Sequence, residues 1–206
     1  MKIITVLAHD PGTRSYGYSV VQGRIDNKKL KITILENGLI KNTIKQLKDS
    51  DLLEEQTEKY LEEVRRRFKR YKPDYFIAER YMSRLIRGTL IEVVSWMLSA
   101  VHQNIKSRYK CEFIPAVTWK NFYRRNNIDL KKLYKKVRTT PHQVDATMMA
   151  IYALTRLLKC DLTGVKVQEL IRELEETSQT PLRNIKRRKS VLSTRRSRTK
   201  GKRLSS

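Results

Sequence analysis

Ile3-Ile4-Thr5-Val6-Leu7-Ala8-His9-Asp10-Pro11-Gly12-Thr13-Arg14-Ser15-Tyr16-Gly17-Tyr18-Ser19-Val20-Val21 opens the chain, and its reading decides the fold. The run from Ile3 to Ala8 is short and apolar, with β-branched residues from Ile3 to Val6. Such a run favours a buried strand over a helix. Pro11-Gly12 breaks the chain and Tyr16 to Val21 is again β-rich, so a second strand returns beside the first. Asp10 stands at the carboxyl end of the first strand. A carboxylate there is costly to bury unless something pairs with it. A divalent cation is one remedy, since hard oxygen ligands suit Mg²⁺ or Mn²⁺. Hydrogen bonding of the Asp to its own turn is the other. This stretch leaves both open.

Working outward, Arg24 to Lys29 is a polar turn with Asp26-Asn27 at its tip. Lys31 to Glu36 alternates as a third strand, and Asn37-Gly38 is the turn signal that closes it. Three such strands make an antiparallel meander. Asp49-Ser50-Asp51 marks a helix start, and Leu52, Leu53, Thr57, Tyr60, Leu61, Val64 and Phe68 recur at helical spacing until Pro73. Tyr75 to Glu79 is a fourth, buried strand. The intervening helix is a crossover, so this strand runs parallel to the first. Glu79 then repeats the peculiarity of Asp10, a carboxylate at the carboxyl end of an apolar strand. In open α/β sheets that edge binds ligands. The plainer alternative is a solvated Glu79 paired with Arg80 or Arg84.

Tyr81 to Lys106 is the longest periodic segment. Its apolar face, from Leu85 through Val94 to Ile105, is wider than one sheet contact requires, which suits deep burial or a second subunit. Cys111 to Ile114 is a fifth strand stopped by Pro115; a short helix then starts at Val117 or Thr118 and holds Trp119, Lys120 and Phe122. Asp129 caps a lysine-rich helix over Leu130 to Val137. Thr140 is the N-cap and Pro141 the first-turn residue of a further helix. His142 and Asp145, three apart, share one face near its start, and Ala146, Met149, Ala150, Ala153 and Leu154 pack its apolar side. His142 could equally be an exposed first-turn residue, and Asp145 a partner of the helix dipole.

The net charge of the 206-residue chain is +24. That excess argues against a catalyst of small anions and for a polyanion partner, nucleic acid before an anionic membrane surface. Cys111 and Cys160 form no CxxC and have no nearby His, which excludes a zinc ribbon and leaves two buried thiols. No apolar run spans a bilayer, and the N-terminus goes straight into a strand, so a soluble cytoplasmic protein is expected. The segment 168–176 reads as a short amphipathic helix, and from Thr180 onward Arg, Lys and Ser dominate. That tail, with Arg187, Arg188, Arg195 and Arg196, is expected to be disordered when free and to bind DNA without reading its sequence. The expected organisation is a folded domain over 1–160, a helical extension over 161–179 and a basic tail over 180–206.

Asp10-Pro11-Gly12 with Gly17, then Ile77-Ala78-Glu79, then His142 with Asp145-Ala146, in this order, resemble the RuvC-type Holliday-junction resolvases of the RNase H-like superfamily. The match covers roughly 1–158. Each motif alone is weak; the ordered set is specific. The resemblance implies an α/β, RNase H-like fold: a mixed five-stranded sheet, three antiparallel strands then parallel ones, with helices on both faces. It implies that Asp10, Glu79, His142 and Asp145 hold two Mg²⁺ ions, with Mn²⁺ as substitute, and cleave phosphodiesters in line. It also implies a homodimer through the helix after the Glu strand, consistent with the wide apolar face there, and a host-cell setting if the relative is phage or viral. Lys120 and Lys131 or Lys132 look like phosphate contacts, and Tyr81 and Arg84 like further DNA contacts. The family's junction-stacking aromatic, three after the Glu, is here Met82, with Tyr81 the nearest ring. The expected function is resolution of four-way junctions. The alternatives are cleavage of other branched DNA or of an RNA–DNA hybrid, and non-catalytic DNA binding on a nuclease fold.

Overall fold

The computed structural model describes residues 2–12, 15–41, 50–80, 103–104, 110–137, 139–162, 165 and 169–177. Strands β1 (Ile3–Pro11), β2 (Ser15–Asp26) and β3 (Lys29–Lys41) form the expected meander. Helix α1 (Ser50–Tyr71) crosses to β4 (Tyr75–Arg80), which lies parallel to β1, and β5 (Lys110–Pro115) lies parallel to β4. Helices α2 (Ala116–Arg125), α3 (Leu130–Lys136) and α4 (Pro141–Leu158) follow. The five-stranded sheet has the order β3-β2-β1-β4-β5.

Alternation along β1 decides which side chain meets which helix. Ile4, Val6 and Ala8 join the core built on Val144, Met148, Ile151 and Leu154 of α4. Leu7 goes to the other face, among Tyr60, Leu61, Val64 and Phe68 of α1. Every residue of α4 from Gln143 to Thr155 is buried, so the small residues Ala146, Ala150 and Ala153 let this helix lie directly on the sheet. Leu170 and Leu174, in the helical residues 169–177, add to the same core.

Four local expectations change. The β2–β3 turn is at Asn27-Lys28, both in the left-handed region with φ of 50° and 63°, rather than at Asp26-Asn27. Asn37-Gly38 is no turn, and β3 continues to Lys41. The Asn37 side chain is buried against α4, and a Cβ at Gly38 would fall 2.4 Å from Oη of Tyr18, so both residues serve packing within the strand. Helix α2 starts at Ala116, with Pro115 as its N-cap, and not at Val117 or Thr118. Cys111 and Cys160 are half-buried and not the buried thiols expected. Among the described residues no helix is long and apolar enough to cross a membrane. Most of the apolar segment from Tyr81 to Lys106, with Tyr81 and Arg84, and the tail with Arg187, Arg188, Arg195 and Arg196 lie outside the described residues.

Candidate active site

Parallel pairing of β1 with β4 aligns His9 with Ala78, so Asp10 and Glu79 leave the sheet side by side at its carboxyl edge. On the other side, β2 presents Gly17 opposite Asp10. A Cβ at Gly17 would lie 2.0 Å from the carbonyl oxygen of His142, so a side chain there would lift the first turn of α4 off the strand. Gly12 serves similarly, since a Cβ there would be 2.8 Å from Cε1 of His142.

The start of α4 is fixed from below. Thr140 and Gln143 form a capping box, with Pro141 in the first turn. The Gln143 amide donates to Oδ1 of Asn37 at 2.7 Å, and Nδ2 of Asn37 donates to Oγ1 of Thr147 at 2.9 Å. Thr147 in turn donates to Oγ of Ser19 at 2.9 Å. This buried, mutually satisfied chain sets the rotation of α4 and aims His142 and Asp145 at the strand ends.

Four of the expected groups therefore meet. Nδ1 of His142 donates to Oδ2 of Asp10 at 2.6 Å, with Asp10 almost wholly buried and the imidazole 42 % exposed. That hydrogen bond raises the pKa of His142 above its usual value despite partial burial. Burial, and then the Asp10 charge, push Glu79 up to about 7. Burial also raises Asp145, against the opposing pull of Tyr134 and Lys120. Glu79 is not a solvated surface charge: it accepts from Nε1 of the fully buried Trp119 at 3.0 Å. Nζ of Lys120 sits 2.9 Å from Oδ2 of Asp145. Burial works against the Lys120 charge, but Asp145 raises its pKa, so it stays a cation.

Lys131 and Lys132 lie on the exposed side of α3, where their backbone N–H groups donate to Asp129, and neither side chain is among the partners of the carboxylates. Two residues that the sequence reading did not single out take part instead. Tyr134 of α3 donates its hydroxyl to Oδ1 of Asp145, and Trp119 orients Glu79. Trp119 carried a usable signal, standing beside Lys120 just past a strand end; Tyr134 carried none.

Among the described residues no three His, Cys, Asp or Glu side chains stand close enough together to hold a metal ion as they are. The donor types are nevertheless ones that hard cations take. Three carboxylates share a partly buried edge, burial and then the Asp10 charge raise Glu79, and the charged groups now answering them are a lysine and an imidazole. A hard cation with oxygen and imidazole ligands would meet the same demand.

The structure of Thermus thermophilus RuvC superposes on the chain with a TM-score of 0.60, covering 76% of this chain and 97% of that one at 17% identity. The fold is that of RuvC. T. thermophilus RuvC in complex with a Holliday junction substrate gives a TM-score of 0.57 at 20% identity, with 75% and 96% of the two chains covered. The yeast mitochondrial Holliday junction resolvase gives 0.47 at 16% identity, covering 71% and 76%. No family model matches the sequence, and no curated protein matches it. The likeness to RuvC thus lies in the backbone, and the mixed sheet of the RNase H-like class is present as expected.

Proposed function

We propose that the chain is a structure-selective endonuclease that cuts branched DNA, with the four-way junction as substrate. The observation that carries this reading is the meeting of Asp10, Glu79, His142 and Asp145 at the carboxyl edge of a RuvC-fold sheet. The net charge of +24 supports a phosphate-rich partner. Asp10, Glu79 and Asp145 would hold divalent ions, Mg²⁺ or Mn²⁺, with His142 as a fourth ligand or as a proton carrier. Bound there, such ions would supply Lewis acidity toward the phosphoryl oxygens and lower the pKa of an attacking water.

The chain's own groups have separate tasks. Asp10 fixes the His142 ring through Nδ1 and raises its pKa, so Nε2 can carry a proton near neutral pH and give it to the departing 3′ oxygen. Trp119 and Tyr134 hold Glu79 and Asp145 in place. Lys120, partly exposed, is placed to exchange Asp145 for a phosphate oxygen. The product would be a nick with a 5′-phosphate. We further propose a twofold dimer through the segment after β4, which would set two sites against the two symmetric strands of a junction, and a basic tail that adds affinity without selectivity.

The test is one set of reactions: purified protein and Mg²⁺ with a four-way junction, a flap, a linear duplex and an RNA–DNA hybrid. Paired, symmetric nicks in the junction are expected. Equal cutting of linear duplex would remove the selectivity, preference for the hybrid would make the chain a hybrid nuclease, and tight binding without cutting would leave only a DNA-binding role. Light scattering at micromolar protein should give the dimer mass.

A further inference from the structure

Beside the carboxylates, α2 and α3 enclose a cleft of about 590 Å³, lined by Lys120, Arg124, Asn127, Ile128, Leu130, Lys131 and Tyr134, with Asp129 at its margin. Its size lies within the roughly 300–1,000 Å³ of small-molecule sites, enough for one nucleotide and too little for a duplex. The cleft has two layers. Ile128, Leu130 and Tyr134 are half-buried and rest on the α4 core, so the floor is apolar and rigid. Arg124, Asn127, Asp129 and Lys131 are exposed and form the rim. The one carboxylate of that rim is already engaged, because Asp129 accepts the backbone N–H groups of Lys131 and Lys132 as the cap of α3. The rim therefore presents net positive charge.

Position matters as much as shape. Lys120 and Tyr134, two of the lining residues, are the ones that bond Asp145. The cleft and the carboxylate edge thus form one continuous surface. A DNA strand with a phosphate at Asp10, Glu79 and Asp145 would have its next nucleotide at the mouth of the cleft.

We propose that the cleft is a nucleobase subsite: one nucleotide flanking the cut leaves its stack and seats its base on Ile128, Leu130 and the Tyr134 ring. Lys120, Arg124 and Lys131 hold the neighbouring phosphates. This rests on the nuclease reading and deepens it. Extruding a base costs least where pairing and stacking are already broken, which is the state of a branch point. The subsite would then favour branched over linear DNA without reading sequence in a groove.

The experiment has two arms. In the first, the cut position on a junction is mapped, and single abasic residues replace each base around it. One flanking position should lose roughly tenfold in single-turnover rate, the scale of one base–aromatic stack, while more distant positions lose nothing. Ile128→Ser, or Leu130→Ser should the first variant melt, should cut the intact and abasic junctions at the same rate. In the second arm, 2-aminopurine is walked through the branch point and its fluorescence is followed on binding alone. It should brighten at the flanking position with wild type and stay dim with the folded serine variant. A flat abasic scan on a junction that is still cut would overturn the subsite and leave the nuclease reading intact. Absence of any cutting would sink the nuclease reading, and the fluorescence arm would still decide on the cleft. If Arg124→Gln weakens binding while both scans stay flat, the cleft is only a phosphate contact and the proposal fails.

Discussion

His9 and His142 make an instructive pair. His9 precedes Asp10 in β1 and His142 bonds it, yet the two imidazoles occupy opposite faces of the sheet and opposite kinds of surroundings. His9 is fully buried among Tyr18, Tyr60 and Phe76, with Nδ1 2.7 Å from Oη of Tyr60. Arg67 lies on that face, itself buried, stacked 3.4 Å over the Tyr18 ring and bonded to Glu36 at 3.1 Å. Burial, and then the Arg67 charge, hold His9 well below its usual value. His142 faces carboxylates, is open to solvent and moves the other way. One step along a strand thus separates a closed structural face from an open chemical one.

The contrast is broken most severely at the carboxylates. Asp10→Asn, Glu79→Gln or Asp145→Asn should lower junction cleavage by ~10²-fold or more, the scale of one preorganised electrostatic group, with junction affinity retained in a gel-shift titration. Normal cleavage by one of these variants would remove that residue from the site. On the other face, Arg67→Met should cost about 3 kcal/mol of stability, as for breaking one side of a buried ion pair. Rate per folded molecule should stay unchanged. Urea denaturation together with active-site titration separates the two, and a large rate loss in folded Arg67→Met would merge the faces.

Smaller effects sharpen the pairing. His9 has a depressed folded pKa, so stability should fall as pH drops below the usual 6.5, at about 1.4 kcal/mol per pH unit, and His9→Asn should flatten that limb. His142 has the opposite sign. Its contribution is fully present below 6.5 and is lost as pH rises through its raised folded value, a limb that Asp10→Asn should erase. Denaturation midpoints across pH 5 to 9 decide both, and matching curves for His9→Asn and wild type would contradict the buried, neutral assignment.

The smallest effect concerns Glu79. Its folded value of about 7 exceeds the ordinary 4.5, so the folded state resists losing this proton and stability declines as pH rises between those two values. Without divalent ions, Glu79→Gln should therefore gain on the order of 1 kcal/mol above pH 7, after discounting for partial solvation, and nothing near pH 4. No gain at pH 8 would mean that burial and the Asp10 charge do not penalise the Glu79 carboxylate.

Much of this was legible in the chain because local signals and tertiary structure agree there. The apolar runs ending in Asp10 and Glu79, the amphipathic α1 and the Thr140-Pro141 helix start all read correctly. Asn37-Gly38 misled because the same dipeptide serves a hairpin turn or, with a buried amide and no Cβ, a long strand packed on a helix. Tyr134 was invisible for another reason. Its relation to Asp145 depends on how α3 is placed against α4, and no spacing within either helix encodes that.

The four central groups come from positions 10, 79, 142 and 145, and the last two are carried by the helix that ends at Leu158. A chain still being synthesised, or one cut ahead of α4, holds only the first two. It also lacks the helix that covers one face of the sheet and presses on Gly17. Contacts between residues this far apart in sequence form only after loop closure over most of the domain. Assembly of the four groups is therefore withheld until translation has nearly finished the domain, and a partial chain carries Asp10 and Glu79 without their partners on α4.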